Sequence, residues 1–189
     1  MQTRRARARS RAFPVLSALA GAVLLVGVPA GAGDIWLGAG AGQVKPEGVN
    51  ATVGLAGELR LELGRHFALQ PDLAYWRRTE TASGVSVSAS DFSFGVTALV
   101  LLPARPVLFF AGAGPSIHRI GGDVDYYGFS VSSDSVTRVG LGVLGGLDIE
   151  ISRSVAFFVA ARYDWVSLET EDPDSIDQRR LYGGLRLRL

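Results

Sequence analysis

The chain has 189 residues, enough for one domain, with 24 glycines, no cysteine and a formal charge of +1. Absent cysteine excludes a disulfide framework. The charge is misleading, because Arg4, Arg5, Arg7, Arg9 and Arg11 lie in a segment expected to be removed; the rest carries 14 basic against 18 acidic residues, a net of −4, which excludes the basic patch a nucleic-acid partner needs.

Met1 to Arg11 is arginine-rich without an acid, Ala12 to Val28 is apolar, and Pro29-Ala30-Gly31-Ala32 offers small residues at an A-x-A site. This is the pattern of a secretory signal peptide over 1–32, cleaved after Ala32 or alternatively after Ala30. The apolar run is short against the roughly 20 residues a spanning helix needs. The remaining domain, 33–189, holds no other apolar run of that length. A membrane location therefore requires a closed barrel, since in lipid only helices and closed barrels satisfy every backbone group.

Eight alternating segments follow. The first, about 34–42, sets Ile35, Leu37, Ala39 and Ala41 against Trp36, Gly38 and Gly40; the second, 51–63, sets Val53, Leu55, Leu59, Leu61 and Leu63 against Glu58, Arg60 and Glu62. The third, 67–78, opposes Phe67, Leu69, Leu73 and Tyr75 to Gln70, Asp72 and Trp76, and Pro71 predicts a bulge because proline cannot donate to the ladder. The fourth, 85–102, sets Phe92, Phe94, Val96, Ala98, Val100 and Leu102 against Asp91, Ser93, Gly95 and Thr97, the alternation weakening over Leu99 to Leu102. The fifth, 106–120, opposes Val107, Phe109, Ala111, Ala113 and Ile117 to Gly112, Gly114, Ser116 and His118. The sixth, 137–151, and seventh, 155–168, repeat the pattern, with Asp148, Glu150, Arg162 and Asp164 on the polar side. The eighth, 181–189, puts Leu185, Leu187 and Leu189 opposite Arg186 and Arg188. Tight connections at 64–66, 103–105 and 152–154 alternate with longer polar stretches at 44–50, 79–84, 121–136 and 169–178. That is the rhythm of short periplasmic turns and longer extracellular loops, with both termini periplasmic. The expected fold is all-β: an eight-stranded antiparallel up-and-down transmembrane β-barrel.

The polar face distinguishes this from a soluble barrel. It carries Glu58, Arg60, Glu62, Asp72, Asp148, Glu150, Arg162, Asp164, Arg186 and Arg188 among glycines, and the chain has a single lysine, Lys45. Guanidinium forks paired with carboxylates suit a narrow lumen, and an eight-stranded barrel is just wide enough to be filled by its own side chains. Trp165, Tyr163 and Tyr75 sit where an aromatic girdle is expected.

The segments Leu69-Gln70-Pro71-Asp72-Leu73-Ala74-Tyr75, Phe109-Phe110-Ala111-Gly112-Ala113-Gly114-Pro115 and Ala161-Arg162-Tyr163-Asp164-Trp165 resemble the small outer-membrane barrel family, that of the transmembrane domain of outer membrane protein A and its eight-stranded relatives. Gly184, followed by Leu187 and Leu189, is similar to the family's assembly signal, although the family usually ends on phenylalanine and this chain ends on leucine. The resemblance implies residence in a Gram-negative outer membrane, recognition of the C-terminal strand by the barrel-assembly machinery, and roles in envelope integrity, adhesion or immune evasion.

Chemistry is sparse. Ser116 and His118 share a face, and Asp148 or Glu150 could complete a nucleophile–base–orienter set, but no strained elbow or oxyanion signature accompanies them. No metal, cofactor or catalytic site is expected. The predicted loops are acidic, with Asp123, Asp125 and Asp134 in the third and Glu169, Glu171, Asp172, Asp174 and Asp177 in the fourth. Arg77, Arg78, Arg179 and Arg180 near the outer rim are candidates to contact lipopolysaccharide phosphates. The expected function is a structural or interaction barrel with no catalysis and an unknown surface ligand. A small pore and a lipid-modifying enzyme are the alternatives.

Overall fold

The structure, a computed structural model, describes residues 33–126, 129–132, 135–166 and 177–189. The expected signal segment 1–32 and the loop residues Asp134, Glu169, Glu171, Asp172 and Asp174 lie outside them. Nine strands are described: β1 (Ile35–Pro46), β2 (Thr52–Glu62), β3 (Phe67–Ala82), β4 (Val85–Ala104), β5 (Val107–Tyr126), β6 (Phe129–Ser132), β7 (Val136–Ser152), β8 (Val155–Val166) and β9 (Gln178–Arg188). All described pairings are antiparallel. The order β4-β3-β2-β1-β9-β8-β7-β5 closes through β4–β5 into an eight-stranded barrel, while β6 extends the free edge of β5 beyond the wall. First and last barrel strands meet along Trp36↔Arg188 to Pro46↔Gln178, so no edge remains in the wall.

Both described chain ends and three tight turns share one end of the barrel, here the termini end; the opposite end is the loop end. Along the wall strands outward and inward residues alternate, although Leu61 in β2 is buried despite its outward parity. Val53, Leu55, Phe67, Val100, Phe109, Val139, Leu141, Leu185 and Leu187 are exposed outward, while Glu58, Arg60, Gln70, Asp72, Asp148, Arg162, Asp164 and Arg186 are buried inward. A soluble protein shows the reverse. The exterior is therefore matched to acyl chains, and the interior supplies its own counter-charges.

Three details depart from the expectations. Pro71 makes no bulge: Glu58↔Asp72 and Leu61↔Leu69 keep one register on either side of it, so the ladder skips the missing donor without shifting. The irregularity lies instead between Glu150 and Ser152. The second long stretch is mostly strand. β3 runs to Ala82 and turns through Ser83 (φ 50°) and Gly84 (φ 81°), two left-handed residues as a tight hairpin requires. Hydroxyl pairs Thr79–Ser88 and Thr81–Ser86, both 2.8 Å, link the hairpin's arms. The third stretch, too, is largely strand, in β5 and β6.

The stretch over Leu99 to Leu102, apolar on both faces, also finds its reason. Leu99 and Leu101 point inward and join Ala68, Phe110, Leu144, Phe158, Ala160 and Tyr182 in a buried apolar cluster. This cluster sits inside the barrel, which is thus filled by a greasy layer as well as by ion pairs.

Candidate functional site: the filled lumen and its loop-end rim

Glycine lets long side chains cross the lumen. A Cβ on Gly38 would fall 2.7 Å from Glu58 Cγ, and one on Gly142 would fall 2.7 Å from Arg162 Nη2. In the space so left, two polar networks form.

The first is a closed ring of five side chains from four strands. Arg60 donates from Nη1 to Asp148 Oδ2 (2.5 Å) and from Nε to Gln70 Oε1 (3.1 Å). Gln70 Nε2 donates to Glu58 Oε2 (2.9 Å), and Arg186 bonds both Glu58 and Asp148, closing the circuit. Two guanidinium groups balance two carboxylates. Their planes lie over rings: Arg60 is 4.3 Å from Phe110, and Arg186 is 4.3 Å from Phe158. A buried charge is tolerated only when paired and hydrogen-bonded, and a ring meets both conditions.

The second network lies towards the loop end. Arg162 donates to Asp72 (2.8 Å), Asp164 (2.8 Å) and Thr97 (3.1 Å), and Arg180 donates to Asp164 (2.5 Å) and Ser93 (3.1 Å). Ser116 donates to Asp164 at 3.3 Å and stands 3.1 Å from His118 Nε2; His118 Nδ1 is 2.9 Å from Asp91, which also accepts from Gln178 at 3.2 Å.

Of the ten lumen charges read from the sequence, Glu58, Arg60, Asp72, Asp148, Arg162, Asp164 and Arg186 are buried in these networks. Glu62 is half-buried nearer the termini end. Glu150 and Arg188 are exposed and belong to neither network; with Glu62 they line the termini-end mouth, where Arg188 pairs with Asp34. The reason is depth, since strand ends reach past the packed region. The lumen charge set read from the sequence did not include Asp91, placed only on the polar face of its strand, or Arg180, placed at the rim; the uncharged Gln70 and Gln178 join them in the networks, each with the inward parity of its strand.

The expected partner for His118 was Asp148 or Glu150. Asp148 is held in the other network, and the carboxylate at His118 is Asp91. Ser116, His118 and Asp91 are aligned as nucleophile, base and orienter, but all three are buried, and Ser116 already donates to Asp164. Ser116 is 1% exposed, and its hydroxyl is thus closed off from solvent in this structure.

The four rim arginines divide. Arg180 is a lumen residue, 5% exposed and bonded to Asp164, so it cannot meet a lipid. Arg78 has inward parity and is held by Glu80 (2.9 Å) and Ala51 O (2.5 Å). Arg77 is exposed beside Asp123 at 3.7 Å. Arg179 is exposed on the outer face, 5.7 Å from the Tyr163 ring. Beyond the wall, Asn50 and Arg78 both donate to Glu80 and, in that order, hold its carboxyl below the usual range. Among the described residues no cluster of His, Asp and Glu could hold a metal ion.

Comparison with known proteins agrees with the architecture. Neisserial surface protein A aligns over 84% of this chain and 99% of its own, with a TM-score of 0.66 at 21% identity. Ail, the attachment invasion locus protein of Yersinia pestis, crystallised with the heparin analogue sucrose octasulfate, aligns over 82% and 97% at a TM-score of 0.54 and 16% identity. OprG from Pseudomonas aeruginosa aligns over 84% and 96% at 0.56 and 10%. At these identities the likeness is one of fold. No curated protein matches the sequence significantly. The family described as outer membrane protein beta-barrel domain matches residues 18–188, nearly the whole chain. This chain, with its apolar exterior, charged lumen and closed eight-stranded wall, belongs to that outer-membrane β-barrel family.

Proposed function

We propose that this protein is a non-conducting outer-membrane barrel that works by surface recognition, with its termini towards the periplasm and its loop end outside. The observation that carries this reading is a reversal of polarity above the wall. In β4 the outward positions change from Phe94 and Phe92 to Ser90, Ser88 and Ser86, while the inward ones change from Ser93 and Asp91 to Ala89, Val87 and Val85. In β5 the outward side becomes Arg119, Asp123 and Asp125, and the inward side Ile120, Val124 and Tyr126. A membrane crossing takes roughly 9–11 residues of tilted strand, and β4 and β5 have 20 each. The surplus forms a sheet beyond the bilayer that turns its apolar face over the mouth. Val87, Val124 and Val131 lie in register across β4, β5 and β6 and are 50%, 42% and 68% exposed; Tyr126 beside them is 57% exposed. An apolar patch in water beyond the membrane favours a binding surface.

The filled lumen favours this reading over a pore, since the five-residue ring and the buried apolar cluster both occupy the barrel interior. Purified full-length protein in planar bilayers is expected to carry no steady current in potassium chloride. Panning phage-displayed peptides against protein in phosphatidylcholine nanodiscs is expected to enrich extended segments with alternating apolar residues, whose binding is lost in Val87→Glu/Val124→Glu. Steady current, or no enrichment over empty nanodiscs, sinks the reading.

A further inference from the structure

On the outer face, four residues stand in register across β1, β9, β8 and β7: Lys45, Arg179, Tyr163 and Val143. Lys45 and Arg179 are directly opposed cations, both exposed. Like charges directly opposite each other destabilise a strand pair unless something negative lies between them. Among the described residues neither has a carboxylate partner: Asp177 accepts from the Tyr163 hydroxyl, and Glu47 accepts from the Asp177 amide. The next row towards the termini end is Gln43, Leu181, Ala161 and Gly145. Its two small residues leave a shallow groove of about 560 Å³ running down from the cations on the apolar exterior.

We propose that Lys45 and Arg179 hold the phosphate of an anionic membrane lipid in the loop-end leaflet, while one of its acyl chains lies in the groove over Ala161 and Gly145. Depth supports the assignment. Lys45 is one residue from the end of β1, and Tyr163, 4.7 Å edge-on from Trp165, marks the aromatic belt at which headgroups sit. Guanidinium and ammonium groups differ usefully here, one binding phosphate oxygens as a fork and the other as a mobile point charge. Apolar surface directly beneath the two charges selects a lipid over a soluble anion. The site lies on the lipid face and is independent of the surface reading above.

Native mass spectrometry of the refolded full chain in neutral detergent tests this with three probes: dimyristoylphosphatidic acid, dimyristoylphosphatidylcholine and inorganic phosphate. Wild type is expected to retain phosphatidic acid over phosphatidylcholine. Lys45→Gln/Arg179→Gln is expected to weaken phosphatidic acid about thirtyfold, from the usual contribution of two interfacial cations. Gly145→Leu, whose Cβ would meet nothing closer than 3.8 Å, fills the groove and is expected to weaken the lipid while leaving inorganic phosphate unchanged. Lys45 and Arg179 are exposed and Gly145 is half-buried on the outer face, and gel mobility without boiling checks that the variants fold; Lys45→Arg, which keeps the charge, should bind as wild type. Unchanged lipid retention in the double glutamine variant overturns the proposal. So does competition by inorganic phosphate as effective as by the lipid, or indifference to Gly145→Leu.

Discussion

Arg60 and Asp148, 88 residues apart in the chain, meet across the lumen at 2.5 Å, and the same carboxylate also receives Arg186. One acid from β7 therefore ties β2 to β9 through the barrel's centre. Asp148→Ala leaves two buried guanidinium groups short of a shared counter-charge, which should cost about 3–5 kcal/mol. The urea midpoint of the refolded protein in micelles measures it. A loss below 1 kcal/mol would show that the ring is not a cross-brace.

The Ser116–His118–Asp91 alignment should be structural. Wild type is expected to leave p-nitrophenyl butyrate and dimyristoylphosphatidylcholine unhydrolysed, and Ser116→Ala to lose about 1 kcal/mol for its missing hydrogen bond. Turnover that vanishes in Ser116→Ala would overturn this and restore the enzyme alternative.

Closure depends on two glycines in the β1–β9 seam. A Cβ on Gly42 would overlap Leu181 O and Tyr182 Cα, and one on Gly184 would overlap Ala39 O. Gly42→Val should abolish the folded band that migrates differently before boiling. Gly145→Ala on the outer face should leave it intact. Equal behaviour of the two variants would mean that the seam tolerates side chains.

Glu80 couples the β1–β2 connection to β3 through Asn50, at 2.8 Å. Its folded pKa is lowered, first by the hydrogen bond from Asn50 and then by Arg78. The contribution is therefore fully present above the ordinary glutamate value, about 4.3, and is lost as pH falls through the lowered folded value. The protection factors of amides around Asn50, corrected for the intrinsic exchange rate, should fall on acidification through that window, and Glu80→Gln should remove that fall.

Much of the architecture was legible because a strand has period two. The parity of Glu58, Arg60, Asp72, Arg162, Asp164 and Arg186 identified the wet face, and the scarcity of lysine argued that this face is enclosed. The same parity, carried past Asp91 in β4 and Ile120 in β5, records the reversal of polarity. It was missed because the polar stretch 79–84 reads as loop, although Thr79 and Thr81 pair with Ser88 and Ser86, so the start of the fourth strand had no strand partner against which its parity could be read.

By itself the sequence determined the alternation, and hence a wall with one apolar and one polar face, because that needs only local geometry. Which charges from distant strands meet was decided by closure. Arg60 lies beside Asp148 rather than another acid, and Asp91 rather than Asp148 reaches His118, because register and shear place residues from distant strands at one depth. No local pattern encodes that depth. Arg179 and Arg180 make the point together: adjacent in the chain, one faces lipid and the other the lumen, and only the register of β9 against β1 and β8 fixes what each of them meets.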